Sequence, residues 1–195
     1  MKSILMSIQP KWCELIASGK KTIEVRKTKP KLDTPFKVYI YETQGRTETP
    51  WIDEDGHHIF KGRGQVIGEF ICDKIIEIEH EVVWSKVLGG CDVRFNFNIG
   101  KACLEEKQIF EYLGEGTGYA WHISDLVIYD KPKELSEFRS ICREYDKERP
   151  GCGGCDYYYS ESNESVGFYE ECLCNGMKPL TRPPQSWCYV KEVQP

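Results

Sequence analysis

Short apolar runs and apolar–polar alternation predict a chain that consists mainly of strands. Residues 3–8 form an apolar-rich run that predicts a short buried strand. Pro10 then stands where a first helical residue would, since that position needs no backbone donor. Apolar residues at helical spacing follow, and Gly19 supplies the end of the predicted helix.

A second strand follows that helix and has one apolar and one polar face. Alternation puts Ile23 and Val25 on the apolar face. Thr22, Glu24 and Arg26 fall on the opposite face. This concentration of polar groups on one strand face makes it a candidate functional surface.

The rest of the chain adds more strands and few helices. Further strand patterns cover 36–43, 64–79, 119–129 and 185–193, and the long 64–79 stretch is expected to bend near Gly68. Helical patterns cover 103–113 and 132–141, whereas 44–63 is predicted to be a loop and 84–100 to be irregular. Many strands with little βαβ alternation predict an α+β fold, a small mixed β-barrel with peripheral helices.

The composition changes in the last quarter of the chain. Residues 147–180 are rich in Gly, Ser, Glu, Tyr and Cys and have little periodicity, so they are predicted to be an insertion. Residues 1–146 would form the barrel, and 181–195 would supply its closing strand. The insertion would therefore interrupt one domain and not separate two.

Bulk composition limits the classes of partner and compartment. With 40% hydrophobic residues the chain has enough apolar material for a core, and its net charge of −5 argues against broad, non-specific duplex DNA binding. A local basic groove remains compatible with that net charge. No apolar run has the length of a membrane helix and no signal-peptide pattern opens the sequence, so a cytoplasmic location is expected.

The segment around the polar strand face has a recognisable motif. Gly19, Lys21, Glu24 and Arg26 follow the pattern Gly-x-Lys-x-x-Glu-x-Arg. This motif, the preceding strand and helix, and two later segments, 118–123 and 183–187, resemble the ASCH domain family, which belongs to the PUA-like folds. The resemblance covers roughly residues 1–135 and 181–195, and it implies a PUA-like barrel and a ligand related to nucleic acids.

The motif side chains suit the binding of RNA or a nucleotide. Arg26 offers a planar fork for a phosphate or a base edge, Lys21 offers a point charge, and Glu24 accepts hydrogen bonds from base amino groups. Lys20 would contribute from the rim. Alternatively, Glu24 and Arg26 form an exposed surface ion pair, an arrangement that is common and weak.

Aromatic residues near the second matching segment are candidates for a wall on which bases stack. Tyr119, Trp121 and His122 are the candidates, although alternation places Tyr119 and Trp121 on one face and His122 on the other. Aromatic residues in a barrel strand are mostly core residues. If Trp121 belongs to the core, His122 is the better candidate.

An enzymatic function is the second hypothesis. The resemblance implies that some family members are amidohydrolases that act on acylated cytidine nucleosides, with a Thr nucleophile, an activating Lys and an assisting Glu. Lys21 matches that Lys, but Glu24 occupies the Thr position, and 96–101 contains no carboxylate where the assisting Glu is expected. A carboxylate that is held in an ion pair is a poor base at neutral pH, so catalysis is uncertain.

Four cysteines in the insertion form two close pairs. Cys152 and Cys155 have zinc-knuckle spacing around two glycines, and Cys172 and Cys174 follow as a tighter pair. Together they are candidate ligands of a structural zinc ion, whose binding would order a segment that lacks a core. Free thiols, a redox pair and an iron–sulfur site remain alternatives.

The insertion supports a third hypothesis, in which it docks a protein partner. The three hypotheses are therefore RNA or nucleotide binding, amidohydrolase activity on a nucleoside, and a protein-interaction module. A regulatory role is implied by the family resemblance and not by any residue.

Overall fold

The structure, a computed structural model, describes residues 3–44, 62–85, 90–141 and 177–192. Most of the loop predicted over 44–63 and most of the predicted insertion therefore lie outside the described residues. The described strands are β1 (Ser3–Ile8), β2 (Ile23–Arg26), β3 (Phe36–Glu42), β4 (Val66–Cys72), β5 (Ile75–Glu77), β6 (His80–Ser85), β7 (Gly90–Phe95), β8 (Tyr119–His122), β9 (Ser124–Lys133), β10 (Phe138–Ile141), β11 (Met177–Pro179) and β12 (Trp187–Glu192). The described helices are α1 (Pro10–Ala17), α2 (Ile99–Ala102) and α3 (Glu106–Leu113), with a 3-10 turn at Leu135–Glu137.

Seven strands form the larger sheet, in the order β11-β10-β12-β1-β3-β4-β9. The N-terminal strand β1 is internal, pairing antiparallel with β12 and parallel with β3. The C-terminal strand predicted from the sequence therefore exists and lies beside the first strand. Together with the helices, this mixed sheet confirms the α+β class.

A second sheet, in the order β2-β8-β5, carries the motif strand. The main core cluster combines residues from β1, β3 and β4 of the larger sheet with Trp121 of β8 and with α1. A further cluster joins Ile23 and Val25 of β2 to Ala102 of α2 and Ile109 of α3. Strand β2 is thus covered on both faces, and all four of its residues are buried.

Two stretches predicted as single strands each divide between the two sheets. The 64–79 stretch leaves the larger sheet after Cys72 and enters the smaller one at Ile75. The 119–129 stretch does the same in reverse around Ile123. The alternation of apolar and polar residues continues where the chain passes from one sheet to the other, so the sequence predicts one strand. This happens because periodicity indicates which side chains are buried and not which strands pair.

Two local predictions were wrong. The stretch 84–100, predicted to be irregular, contains the end of β6 and the whole of β7, which pair as an antiparallel hairpin. The predicted helix from Pro132 is instead the end of β9, a 3-10 turn and β10. The helical spacing there arises because the short turn places Leu135 and Phe138 in the same cluster.

Within the described ranges, no helix has the length and apolar character needed to cross a bilayer.

Candidate functional site

The turn after α1 directs Lys21 back beneath that helix. Gly19 has a φ of 72°, a left-handed conformation that glycine adopts without a Cβ penalty, and its N–H donates to the Ile16 carbonyl at 2.8 Å. The Lys21 backbone N–H then donates to the Leu15 carbonyl at 2.9 Å. The Lys21 ammonium consequently lies 5.1 Å from the centre of the Trp12 ring.

The polar face of β2 points into the protein and not towards solvent. Lys21, Glu24 and Arg26, here called the buried trio, have exposed fractions of 2%, 7% and 7%. Glu24 lies opposite Trp121 in the β2–β8 register, and Arg26 lies opposite Tyr119. The alternative of an exposed surface ion pair is therefore wrong, because core residues and α1 cover this face.

Ion pairs connect the three side chains through Glu24. One Glu24 oxygen, Oε2, lies 3.2 Å from Lys21 Nζ, and the other, Oε1, lies 2.9 Å from an Arg26 terminal nitrogen. Both carboxylate oxygens are thus engaged. The trio carries two basic groups for one carboxylate, so its own formal charge is +1.

Backbone carbonyls bind the two cations from outside the trio. Lys21 Nζ donates to the Ala102 carbonyl at 2.6 Å, which ties the motif to the end of α2. Arg26 donates to the Ser7 carbonyl at 2.7 Å from the end of β1. Contacts with α2 and β1, together with the ion pairs to Glu24 on β2, therefore fix the positions of these two side chains.

Two buried donors, one within the trio and one on the neighbouring strand β8, have no hydrogen-bond partner among the described residues. They are Nε of Arg26 and Nε1 of Trp121. Both belong to the inward face of the β2–β8 pair, where diagonal neighbours on one face come within reach of long side chains. Buried polar groups are nearly always paired with protein atoms or with ordered water, so an acceptor oxygen from water or from a ligand would complete the pairing of these two donors.

The segment before β12 covers the trio. Ser7 Oγ donates to the Pro184 carbonyl at 2.6 Å, and the Ser7 N–H donates to the Ser186 carbonyl at 2.9 Å. An Arg26 terminal nitrogen approaches Ser186 Oγ at 3.5 Å, a long contact. Ser7 and Ser186 were not predicted as site residues, although both lie in segments that carry the family resemblance.

Cys13, on the α1 side of the core, is not an available nucleophile. Burial, followed by the nearby Glu42 and Glu24 carboxylates, raises the pKa of this thiol far above its usual value. Its Sγ also lies 3.6 Å from the Ile8 carbonyl. The group therefore remains a protonated core thiol at neutral pH.

The remaining predicted site residues lie in different places. Lys20 is exposed, at the turn that leads into the trio. Trp121 is fully buried in the main core, where its ring centre lies 5.7 Å from that of Phe36. The candidate zinc ligands Cys152, Cys155, Cys172 and Cys174 lie outside the described residues, and the residues that are described contain no cluster of metal-binding side chains.

His122 faces away from the trio, as the alternation of β8 predicts. Its Nδ1 lies 2.6 Å from Asp73 Oδ1, and the two side chains are 44% and 46% exposed. The hydrogen bond from His122 lowers the pKa of the Asp73 carboxyl below its usual value. Strand β8 thus presents the Trp121 and His122 side chains to two different environments, and only the first adjoins the trio.

Comparison with known proteins assigns the chain to a family. Crystal structures of ASCH from Zymomonas mobilis and of a mutant of it are similar at 23% and 22% sequence identity, with TM-scores of 0.43 and 0.44. The alignments cover 68% and 69% of this chain and 73% and 77% of those chains. No curated protein matches the sequence. The family model described as the ASCH domain matches residues 6–167, most of the chain, including the entire buried trio, so the protein belongs to the ASCH domain family.

Proposed function

We propose that the protein binds RNA or a nucleotide, and that the ligand places an acceptor-rich group against the buried trio. Membership of the ASCH domain family supports a nucleic-acid-related or hydrolase-like function in general. Within that range, the observation that favours binding is the pair of unpartnered donors, Arg26 Nε and Trp121 Nε1. A phosphate or a base carbonyl supplies the acceptor oxygen that these donors lack.

The charge of the trio favours the same class of ligand. Its excess positive charge lies in a poorly solvated position, where an opposite charge is favoured far more than on the surface. Arg26 is engaged through its terminal nitrogens, and Ser186 contacts it only at 3.5 Å. A ligand oxygen that replaced the Ser186 hydroxyl would form a shorter, charge-assisted bond with the guanidinium.

The indole N–H of Trp121 provides a direct test of this proposal. Its NMR signal, assigned with Trp121→Phe, is expected to shift when wild-type protein is titrated with mixed nucleoside monophosphates or with a single-stranded RNA pool. Arg26→Lys keeps the charge but loses the fork and Nε, so affinity should fall roughly 5- to 150-fold, equivalent to about 1–3 kcal/mol. Arg139→Lys on β10 is the matched control and should bind as wild type.

Thermal unfolding of each variant without ligand separates loss of binding from loss of folding. The proposal is wrong if neither ligand shifts the Trp121 signal. It is also wrong if folded Arg26→Lys binds with wild-type affinity.

The amidohydrolase hypothesis gains no comparable support. Both Glu24 oxygens are held in ion pairs with Lys21 and Arg26, so neither oxygen is free to contact a water molecule or a substrate proton. Among the described residues, Lys21 pairs with no carboxylate besides Glu24, and its other hydrogen bond goes to the Ala102 backbone carbonyl. Release of acyl groups from acylated cytidine by wild type, abolished in Lys21→Met, would revive this hypothesis.

A further inference from the structure

The residues that follow the motif strand form an exposed basic segment. Lys27, Lys29 and Lys31 alternate along the chain directly after Arg26, and all three are exposed. We call these three lysines the basic strip. Because it is continuous with β2, the strip begins where the buried trio ends.

Aromatic rings border the strip. The Lys27 ammonium lies 5.2 Å from the centre of the Tyr112 ring on α3, and the Lys29 ammonium lies 4.9 Å from that of Tyr119. Tyr112 is 41% exposed, so one of these rings is open to solvent. The arrangement interleaves cations and aromatic surfaces along one path.

Residues of β12 border the same path. The Trp187 indole N–H donates to Thr28 Oγ1 at 3.0 Å, and the Lys31 N–H donates to the Tyr189 hydroxyl at 2.7 Å. These contacts hold the strip against the protein through the Thr28 side chain and the Lys31 backbone, while the exposed lysine side chains extend outwards. The basic strip is therefore part of the folded surface, attached to β12 by hydrogen bonds.

Within the part of the chain that the structure describes, acidic neighbours do not neutralise the strip. The Lys29 ammonium lies 3.8 Å from a Glu77 oxygen, but these side chains are 51% and 55% exposed. An ion pair this long and this exposed is weak and is screened by salt. The phosphate groups of a nucleic acid would therefore readily replace Glu77 as the partner of Lys29.

We infer that the basic strip, with Tyr112 and Tyr119, carries the strand of a single-stranded RNA whose end or flipped base occupies the trio. Lysines along an extended segment track a phosphate backbone, and bases stack on rings without sequence preference. This inference rests on the proposed function, which it deepens from a nucleotide to a polynucleotide. The strip lies outside the trio, so it adds length-dependent affinity and leaves single-nucleotide binding unchanged.

The test compares a mononucleotide with a labelled single-stranded RNA of about 12 nucleotides, a length typical of such binding sites. The strip variant is Lys27→Gln/Lys29→Gln, and the matched control is Lys131→Gln/Lys133→Gln on β9, which removes the same charges at the same spacing. The strip variant should bind the RNA roughly 5- to 20-fold more weakly, with a salt slope lower by about 1.4. Its affinity for the mononucleotide should equal that of wild type.

A second variant tests stacking independently of charge. Tyr112→Ala should bind the RNA roughly 5- to 150-fold more weakly. Tyr112→Phe, which keeps the ring, should bind as wild type. Because this side chain is partly exposed, neither change should prevent folding.

The outcomes separate the inference from the proposed function. If the strip and control variants bind the RNA equally well, or lose affinity equally, the inference is overturned while the trio site stands. If wild type binds the mononucleotide no less tightly than the RNA, the inference is also overturned. Binding of neither ligand by wild type overturns both proposals.

Discussion

Glu24 is the residue that holds the buried trio together. It supplies the trio's carboxylate and contacts both cations, and it is almost completely buried. Removing one partner of a buried ionic cluster is costly, because the remaining charges stay out of water without compensation. The trio therefore affects folding, independently of the ligand binding that we propose for it.

Glu24→Gln is expected to lower the free energy of unfolding by about 3–5 kcal/mol, measured by urea denaturation. The matched control is Glu111→Gln, which breaks the exposed Lys107–Glu111 pair on α3 and should change stability by less than about 0.5 kcal/mol. Equal effects of the two substitutions would contradict a buried ionic cluster.

The Asp73–His122 pair predicts a local pH dependence. Because the folded-state pKa of Asp73 lies below its unfolded value, its stabilising contribution is present above the unfolded pKa. That contribution is lost as the pH falls through the folded-state pKa. Carboxyl-carbon NMR should show Asp73 titrating below its usual range in wild type and returning towards it in His122→Ala. An Asp73 titration that does not change in His122→Ala would show that the pair has no such effect.

At the scale of elements, the pairing of β4 with β9 requires the two strands to approach each other closely at Gly68. A Cβ added at Gly68 would lie 2.4 Å from the Val127 carbonyl oxygen, and the register of β4 with β9 shifts beside this glycine. The predicted bend near Gly68 is thus a strand-pairing irregularity, and the change of sheet comes later, after Cys72. A glycine is needed at position 68 because a side chain there would prevent β4 and β9 from approaching this closely.

Gly68→Ala should lower the free energy of unfolding by about 1–3 kcal/mol, because β9 must move away from β4. Gly100→Ala is the control, since its nearest neighbour is the end of the Asn98 side chain at 3.2 Å and alanine favours the helix. Thermal denaturation of both variants would measure the difference. If Gly68→Ala is as stable as wild type, the movement of β9 away from β4 costs no free energy, and the prediction is wrong.

At the scale of the whole molecule, charge distribution matters more than net charge. The chain carries −5 overall, yet the trio and the basic strip place five cationic side chains along one short segment. A local field can attract a polyanion even when the net charge is negative. A net charge of −5 that argues against broad duplex DNA binding is therefore compatible with a local basic site.

The cysteine-rich segment supplies a prediction for the whole chain. Purified wild type should contain about one zinc ion per chain, measured by mass spectrometry of the metal, since two close cysteine pairs suit a tetrahedral site. Cys152→Ser/Cys155→Ser should lose that zinc, and Cys188→Ser on β12 should keep it. Zinc absent from wild type, or retained by the double variant, would refute the metal site.

The sequence by itself determined the elements whose pattern is local. The first strand, the helix after Pro10, the glycine turn and the alternation of β2 follow from spacing, which reports the burial of each residue. The same alternation correctly separated His122 from the face of Trp121. The family motif pointed to Lys21, Glu24 and Arg26 as candidate site residues before any contact between them was known.

Only the tertiary structure decided what covers those residues. Spacing cannot say that the polar face of β2 points inward, that Ser186 reaches Arg26 across the fold, or that a continuous pattern changes sheets at Asp73–Lys74. Sequence periodicity records whether a side chain is buried or exposed on average, whereas ion pairing and strand pairing depend on residues distant in the chain. The unpartnered donors of Arg26 and Trp121, which carry the proposed function, therefore became visible only in the folded protein.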